Sequence, residues 1–295
     1  MKATPACIPC YLRQALAAAR EVTEDAERQR HVLTEVAKIL PELPLESTPA
    51  HNSTRVLWRA QEVLGCDDPW AAQKRHYSEL ALHTYPQLKV LVEGSPDPLG
   101  TALRIAAAGN VIDLGILGGG SVDVEGMLNE LLSKGFATDD SDLLRRAIRR
   151  SRDVLYLIDN AGETLFDRVL IEELISWGLR VTVAAKGQPI LNDATVEDAR
   201  MAGLDQVAEV VSNGSPMIGT ALESCSQEFL DLFERAQVII SKGQANFETL
   251  NEIGKPIFFI LKAKCPEVAR ELGVSVGEVV AMFSSVSRSG AVQGR

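Results

Sequence analysis

From Arg152 onward, short apolar runs rich in β-branched residues alternate with stretches of helical period, and few folds accept that alternation. The runs occupy 154–158, 181–185, 207–211, 238–240 and 257–261, each followed by Gly, Asn or Lys. Helical spacing follows at 165–177, 196–202, 218–235 and 245–253, and segments 268–272 and 276–283 are expected to close the chain as helices. Runs without an interleaved polar residue suit strands buried on both faces, which predicts βα units and a largely parallel sheet in an α/β fold.

The first 150 residues read differently. Tyr11, Leu12, Ala15, Leu16 and Ala19, then Val32, Val36, Ile39 and Leu40, then Val56, Leu57, Ala60, Val63 and Leu64 recur at helical spacing. Further helices are expected at 70–84 and 98–108, punctuated by Pro69, Pro86, Pro96 and Pro98, with helix starts at Ser121 and at 139–142. This organises the chain into a mainly helical region, 1–150, and an α/β domain, 151–295, whose last nine residues are expected to fray. A length of 295 residues is enough for both.

Charge narrows the function. Thirty Lys and Arg against forty Asp and Glu give a net charge of −10, so nucleic acid and anionic membranes are not expected partners, because both demand excess positive charge. No apolar run reaches the ~18 residues of a membrane span, and the opening MKATPACIPC lacks the apolar core of a secretory signal, so a cytoplasmic location is expected.

In a doubly wound sheet, ligands bind beyond the carboxyl ends of the strands. Those positions are polar here: Asp159-Asn160-Ala161-Gly162-Glu163, with Asp167 a turn further on; Lys186-Gly187, followed by Asn192-Asp193-Ala194-Thr195; Ser212-Asn213-Gly214-Ser215; and Ser241-Lys242-Gly243-Gln244, followed by Asn246 and Glu248. Converging Asp159, Asn160 and Asp193 would present two carboxylates and an amide oxygen, hard ligands suited to Mg²⁺ or Mn²⁺. Lys186 and Lys242 would meet phosphate oxygens as point charges, and the amides of 213–215 would form an anion nest ahead of a helix. These are the parts of metal-assisted phosphoryl chemistry.

Each part has a plainer alternative. Asp159, Asn160 and Asp193-Ala194-Thr195 are also ordinary helix caps, and Lys-Gly after a strand is also a solvated turn. Cys7-x-x-Cys10 suits a soft metal or a redox pair, with Cys225 and Cys265 as further thiols, or else two semi-buried cysteines. The four His form no metal or catalytic motif. Gly118-Gly119-Gly120-Ser121 lacks the Lys of a phosphate loop and reads as a hinge or helix start. Asn110 and Asp113 mark either a turn or a contribution to the site from the helical side.

Taken together, the CxxC, AAGNVIDLG, LIDNAGETLFD, KGQPILNDATVEDA, SNGSPMIGT and SKGQANFETL resemble the metal-dependent damage-control phosphatase family, once a domain of unknown function, from Cys7 to about Cys265. The CxxC is similar to that of its stand-alone prokaryotic subgroup. The resemblance implies a helical N-terminal region packed on a Rossmann-like α/β domain, and hydrolysis of sugar phosphates or of damaged or excess phosphometabolites. It implies a divalent metal (Mg, Mn, Co or Ni) on Asp159, Asn160 and Asp193, which makes Asp159, Asn160 and Lys242 the catalytic set. Lys242 would contact the substrate phosphate, with Glu163 and Asn246 nearby; Lys186, Asn110 and Asn213 complete the candidate substrate contacts. The Arg-containing substrate motif of the eukaryotic group is not evident in this sequence.

Two other classes remain as alternatives. One is a non-catalytic sensor of metal or phosphometabolites, with the CxxC as its switch. The other is an S-adenosylmethionine-dependent methyltransferase, disfavoured because no Gly-rich loop follows the first clear strand. The absence of Asp-x-Asp after that strand argues against an aspartyl-phosphate route.

Overall fold

The computed structural model describes residues 1–111 and 135–284, the side chains of 110 and 111 excepted. Its centre is a sheet of strands β1 (Thr138–Asp139), β2 (Asp153–Leu157), β3 (Arg180–Ala185), β4 (Glu209–Ser212), β5 (Val238–Lys242), β6 (Ile257–Lys262) and β7 (Val279–Phe283), in the order β1-β7-β6-β5-β2-β3-β4. Strands β2 to β6 are parallel, and β7 runs antiparallel to β6. From β2 the chain winds outward through β3 and β4, then returns to place β5 and β6 on the other side of β2. The strand order therefore reverses between β2 and β5, and a crevice opens at their carboxyl ends.

Alternate residues of each strand face opposite cores. Val154, Tyr156, Val183, Ile240 and Phe258 join the core under helices Pro98–Val111 and Thr164–Ser176. Leu155, Leu157, Ile239 and Phe259 join a second core with Phe229, Phe233, Phe247 and Leu250. With both faces covered, the strands can be almost wholly apolar.

At the N-terminus, α1 (Ile8–Val22), α2 (Ala26–Ile39) and α3 (Pro49–Leu64) form a third core that includes Ile190 and Ile218 from the loops after β3 and β4. The Ile218 amide donates to Thr54 Oγ1 of α3 at 3.0 Å. The helical region thus clamps the carboxyl-end loops of the sheet. Helices α4 (Ala71–Glu93) and α5 (Pro98–Val111) pack instead on helix Thr164–Ser176.

Four local expectations change. Segment 276–283 is not a helix: its apolar run forms β7, because β6 needs an edge partner and five apolar residues carry no decisive period. The helix expected over 218–235 starts only at Gln227, where the Ser226 hydroxyl caps Phe229 N, while Pro216 and a left-handed Gly219 hold the preceding residues in a loop. Helix α4 continues through Pro86, which is exposed, so water can take up the carbonyl it leaves unpaired. Finally, the mainly helical stretch contributes one two-residue strand, β1, which pairs with β7. The fraying expected of the last nine residues lies outside the described residues.

Candidate active site

Asp159 leaves the end of β2 and meets the end of β5 directly. Gly243, just past β5, has φ 81° and ψ 163°, and a Cβ built on it would overlap the Asp159 carboxylate. That backbone region is essentially glycine-only, so both conformation and space demand Gly here. Across the other flank, Asn160 and Asp193 form an antiparallel bridge, Ala194 N donates to Asp159 O at 2.8 Å, and Ala161 N donates to Asn192 O at 3.0 Å. The loops after β2 and β3 are thereby stitched together, with Asp159, Asn160 and Asp193 on the shared seam.

Neither carboxylate on this seam is spent on a helix end. Thr195 caps Val196–Met201, in a reciprocal box with Asp198, and no side chain caps the turn at Ala161–Glu163. Asn160 Nδ2 donates to Asp159 Oδ2 at 3.1 Å and to Glu163 Oε1 at 2.5 Å, leaving its amide oxygen outside those bonds. Asp193 Oδ2 is buried without a hydrogen-bond partner; the nearest cation is Lys186 Nζ at 3.4 Å.

Behind the seam lies a second buried network. Lys242 is 0% exposed, and its ammonium donates to Asp167 Oδ1 at 2.6 Å and lies 3.4 Å from Glu163 Oε2. Tyr156 donates its hydroxyl to the same Asp167 oxygen at 2.8 Å, while Asp167 Oδ2 has no hydrogen-bond partner. Burial pulls the Lys242 pKa down, but Asp167 and Glu163 more than reverse this, and the ammonium holds its proton more tightly than usual. Burial pushes the Asp167 carboxyl up to about 6 against the pull of Lys242. Burial, then the charges of Glu163 and Asp193, push Asp159 well above the carboxylate range, and burial raises Asp193 against Lys186. Four buried carboxylates (Asp159, Glu163, Asp167 and Asp193) thus face two buried ammoniums (Lys186 and Lys242). The charges of Lys264 on Asp159 and of Lys74 on Asp193 add to these, and the burial they leave uncompensated raises the carboxyl pKa values, which a bound cation would lower again.

The profile of the Damage-control phosphatase ARMT1-like domain matches residues 3–280. The chain belongs to this damage-control phosphatase family. It is 38% identical over 287 residues to a protein of Archaeoglobus fulgidus named damage-control phosphatase, covering 95% of this chain and 99% of that one. It is 38% identical over 286 residues to a damage-control phosphatase of Pyrococcus horikoshii, covering 96% and 98%. A solved structure of a DUF89 family protein from P. horikoshii superposes with a TM-score of 0.89 at 36% identity, covering 97% of this chain and 100% of that one. The family's α/β fold, expected from the motifs, is the fold observed.

Of the candidate residues, Asp159, Asn160, Glu163, Asp193 and Lys242 gather at the ends of β2, β3 and β5. Of these, Lys242 is wholly buried with its ammonium on Asp167 and Glu163, so the direct phosphate contact expected of it is not what its position offers, and the remaining candidates are engaged within the protein too. Lys186 donates to the carbonyls of Met217 (2.9 Å) and Gly219, tying down the loop after β4. Asn246 donates to Ile158 O at 3.2 Å and Lys242 O at 2.9 Å, and accepts from Thr220 Oγ1 at 2.7 Å. The expected nest at 213–215 is not free to bind an anion: Asn213 N donates to Ala185 O, Gly214 N to Ser212 Oγ and Ser215 N to Asn213 Oδ1, and no helix follows directly. The side chain of Asn110, along with Asp113 and Gly118, Gly119, Gly120 and Ser121, lies outside the described residues.

The cysteines are free thiols. Cys7 is buried in the α1–α3 core, with Thr4 Oγ1 3.9 Å from its sulfur, and Cys10 is half-buried. Burial pushes the Cys225 thiol up to about 11. Among the described residues, no group of three or more His, Cys, Asp or Glu is arranged to hold a metal ion.

Sequence reasoning gave no role to Tyr156 or to Gly243. Tyr156 sits inside an apolar strand run, where only its hydroxyl hints at a polar partner, and Gly243 is legible only as the Gly after Lys242.

Proposed function

We propose that the chain is a metal-dependent phosphomonoesterase that hydrolyses small phosphorylated metabolites, sugar phosphates or damaged or excess phosphometabolites. Its relatives are named damage-control phosphatases over nearly their whole length, which supports a phosphatase. The observation that supports metal dependence is the gathering of Asp159, Asn160 and Asp193 on one buried seam, where Asp193 Oδ2 makes no hydrogen bond and is met by the Lys186 ammonium at 3.4 Å.

Asp159, Asn160 and Asp193 would hold a divalent cation such as Mg²⁺, Mn²⁺, Co²⁺ or Ni²⁺ through oxygen. When bound, it supplies Lewis acidity toward a phosphoryl oxygen. The protein's own part is positioning. Gly243 lets β5 approach Asp159, and Asn160 ties Asp159 to Glu163 by donating to both. Asp167, itself held by the Tyr156 hydroxyl, fixes the fully buried Lys242 beside Glu163, so its positive charge would act on a phosphoryl group through the low-dielectric interior rather than by direct contact.

The test is hydrolysis of p-nitrophenyl phosphate by metal-stripped protein, with single cations added back. Activity is expected to return with a divalent cation, and Asp159→Ala to lose at least ~10³-fold in kcat/KM, several kcal/mol of transition-state stabilisation. Wild-type-like turnover by folded Asp159→Ala would overturn the assignment.

A further inference from the structure

A groove of about 360 Å³ opens where the helical region meets the loop after β3. Its volume lies within the range of small-ligand sites. Asp68, Lys74 and Arg75 line it from the start of α4, and Lys186, Asp198 and Arg200 from the other side. It adjoins the candidate active site: Lys186, on its wall, has its ammonium 3.4 Å from Asp193 Oδ2, and Thr195, two residues beyond Asp193, also lines it.

The charges on its walls are not equally available. Lys74 is 5% exposed and paired with Asp68 at 2.9 Å and Asp198 at 3.5 Å, and Lys186 is engaged with Asp193. Asp198 is further occupied by the Thr195 amide and hydroxyl. That leaves the exposed Arg75 and Arg200, whose guanidiniums make no ion pair or hydrogen bond among the described residues, with the exposed Glu197 beside them on the rim. In a chain of net charge −10, two uncommitted guanidiniums therefore overhang a concave surface beside buried carboxylates. Guanidinium forks match carboxylate and phosphate oxygens bidentately, a fit an ammonium lacks. Ala71, Pro189, Val196 and Met201 supply an apolar surface for a carbon skeleton.

We propose that this groove seats the non-transferred half of the substrate and selects metabolites bearing a second anionic group, a carboxylate or another phosphate, held by Arg75 and Arg200. The inference rests on the phosphatase reading and adds the substrate class. Because Lys74 joins α4 to the capping box of Val196–Met201, the groove keeps its shape without ligand, and both arginines are exposed, so their removal leaves the fold intact.

The test compares wild-type with Arg75→Ala/Arg200→Ala in the presence of Mg²⁺, on 3-phosphoglycerate and on p-nitrophenyl phosphate, which has no second anionic group. The double variant is expected to raise KM for 3-phosphoglycerate about tenfold or more, the scale of a lost charge-assisted contact, while KM for p-nitrophenyl phosphate moves less than about twofold. Equal changes on both substrates, or none on either, would overturn the proposal. Calorimetric binding of 3-phosphoglycerate against glycerol 3-phosphate separates this outcome from failure of the phosphatase reading. If wild-type hydrolyses neither ester but binds 3-phosphoglycerate the more tightly, and the gap closes in the double variant, the groove assignment stands and the activity falls. Equal affinities in wild-type would sink the groove.

Discussion

At the scale of single residues, the site depends on one atom that is absent. The missing Cβ of Gly243 makes room for the Asp159 carboxylate, and its φ of 81° excludes other residues. Gly243→Ala combines a strained backbone, of order 1–3 kcal/mol, with a clash against a buried charge. Expected are a loss of at least ~2 kcal/mol in urea unfolding and a fall of ~100-fold or more in kcat. An active, fully stable variant would show that β5 and Asp159 do not meet as described. Residue identity was legible where chemistry recurs at strand ends: Asp159, Asn160, Asp193 and Lys242 could be picked out because several strands carry compatible groups. What residues do with their hydrogen bonds was not legible. Lys186, Asn213 and Asn246 are polar and correctly placed along the chain, yet the loop after β4 consumes their donors or acceptors, and only the loop's path reveals that.

At the scale of elements, the reading succeeded where burial on both faces imposes its own pattern and failed where an element depends on a distant neighbour. Strands β2, β3, β5 and β6 are apolar because cores cover both sides. Strand β7 exists because the edge of β6 is open to it, a fact absent from the local run 279–283. The helix Val196–Met201 illustrates the converse, since its start is written locally as Thr195 and Asp198. That cap leaves Asp193 off the helix end and holds Lys74 through Asp198, so it serves both the seam and the groove. Thr195→Ala should cost about 1 kcal/mol in denaturant unfolding. Activity on 3-phosphoglycerate, with its second anionic group, should fall more than activity on p-nitrophenyl phosphate, whereas a uniform loss on both would mean the helix supports only the fold.

At the scale of the whole molecule, a net charge of −10 and a buried anionic cluster leave the cation-free fold under electrostatic strain that depends on pH. Burial pushes Asp167 up to about 6 and Glu248 up to about 7, so the folded chain keeps protons that the unfolded chain releases in the ordinary carboxylate range. Where the native state binds more protons, stability falls as pH rises. Metal-stripped protein should therefore lose stability between about pH 4 and pH 7, with Glu248 contributing up to about 3 kcal/mol at 1.36 kcal/mol per unit. Glu248→Gln, which removes that titration, should flatten the slope. A divalent cation at ~100 times its Kd should restore about 2.7 kcal/mol at pH 8. At the same cation concentration it should restore less at pH 5, because burial raises both Asp159 and Asp193 and protons compete with the cation for them as pH falls. Guanidinium unfolding at the two pH values, with and without Mg²⁺ or Mn²⁺, reads both effects at once. Stability that climbs steadily to pH 8 without metal would mean that the raised buried carboxyls do not govern the fold's response to pH, and a cation effect equal at pH 5 and pH 8 would mean that Asp159 and Asp193 do not hold the cation.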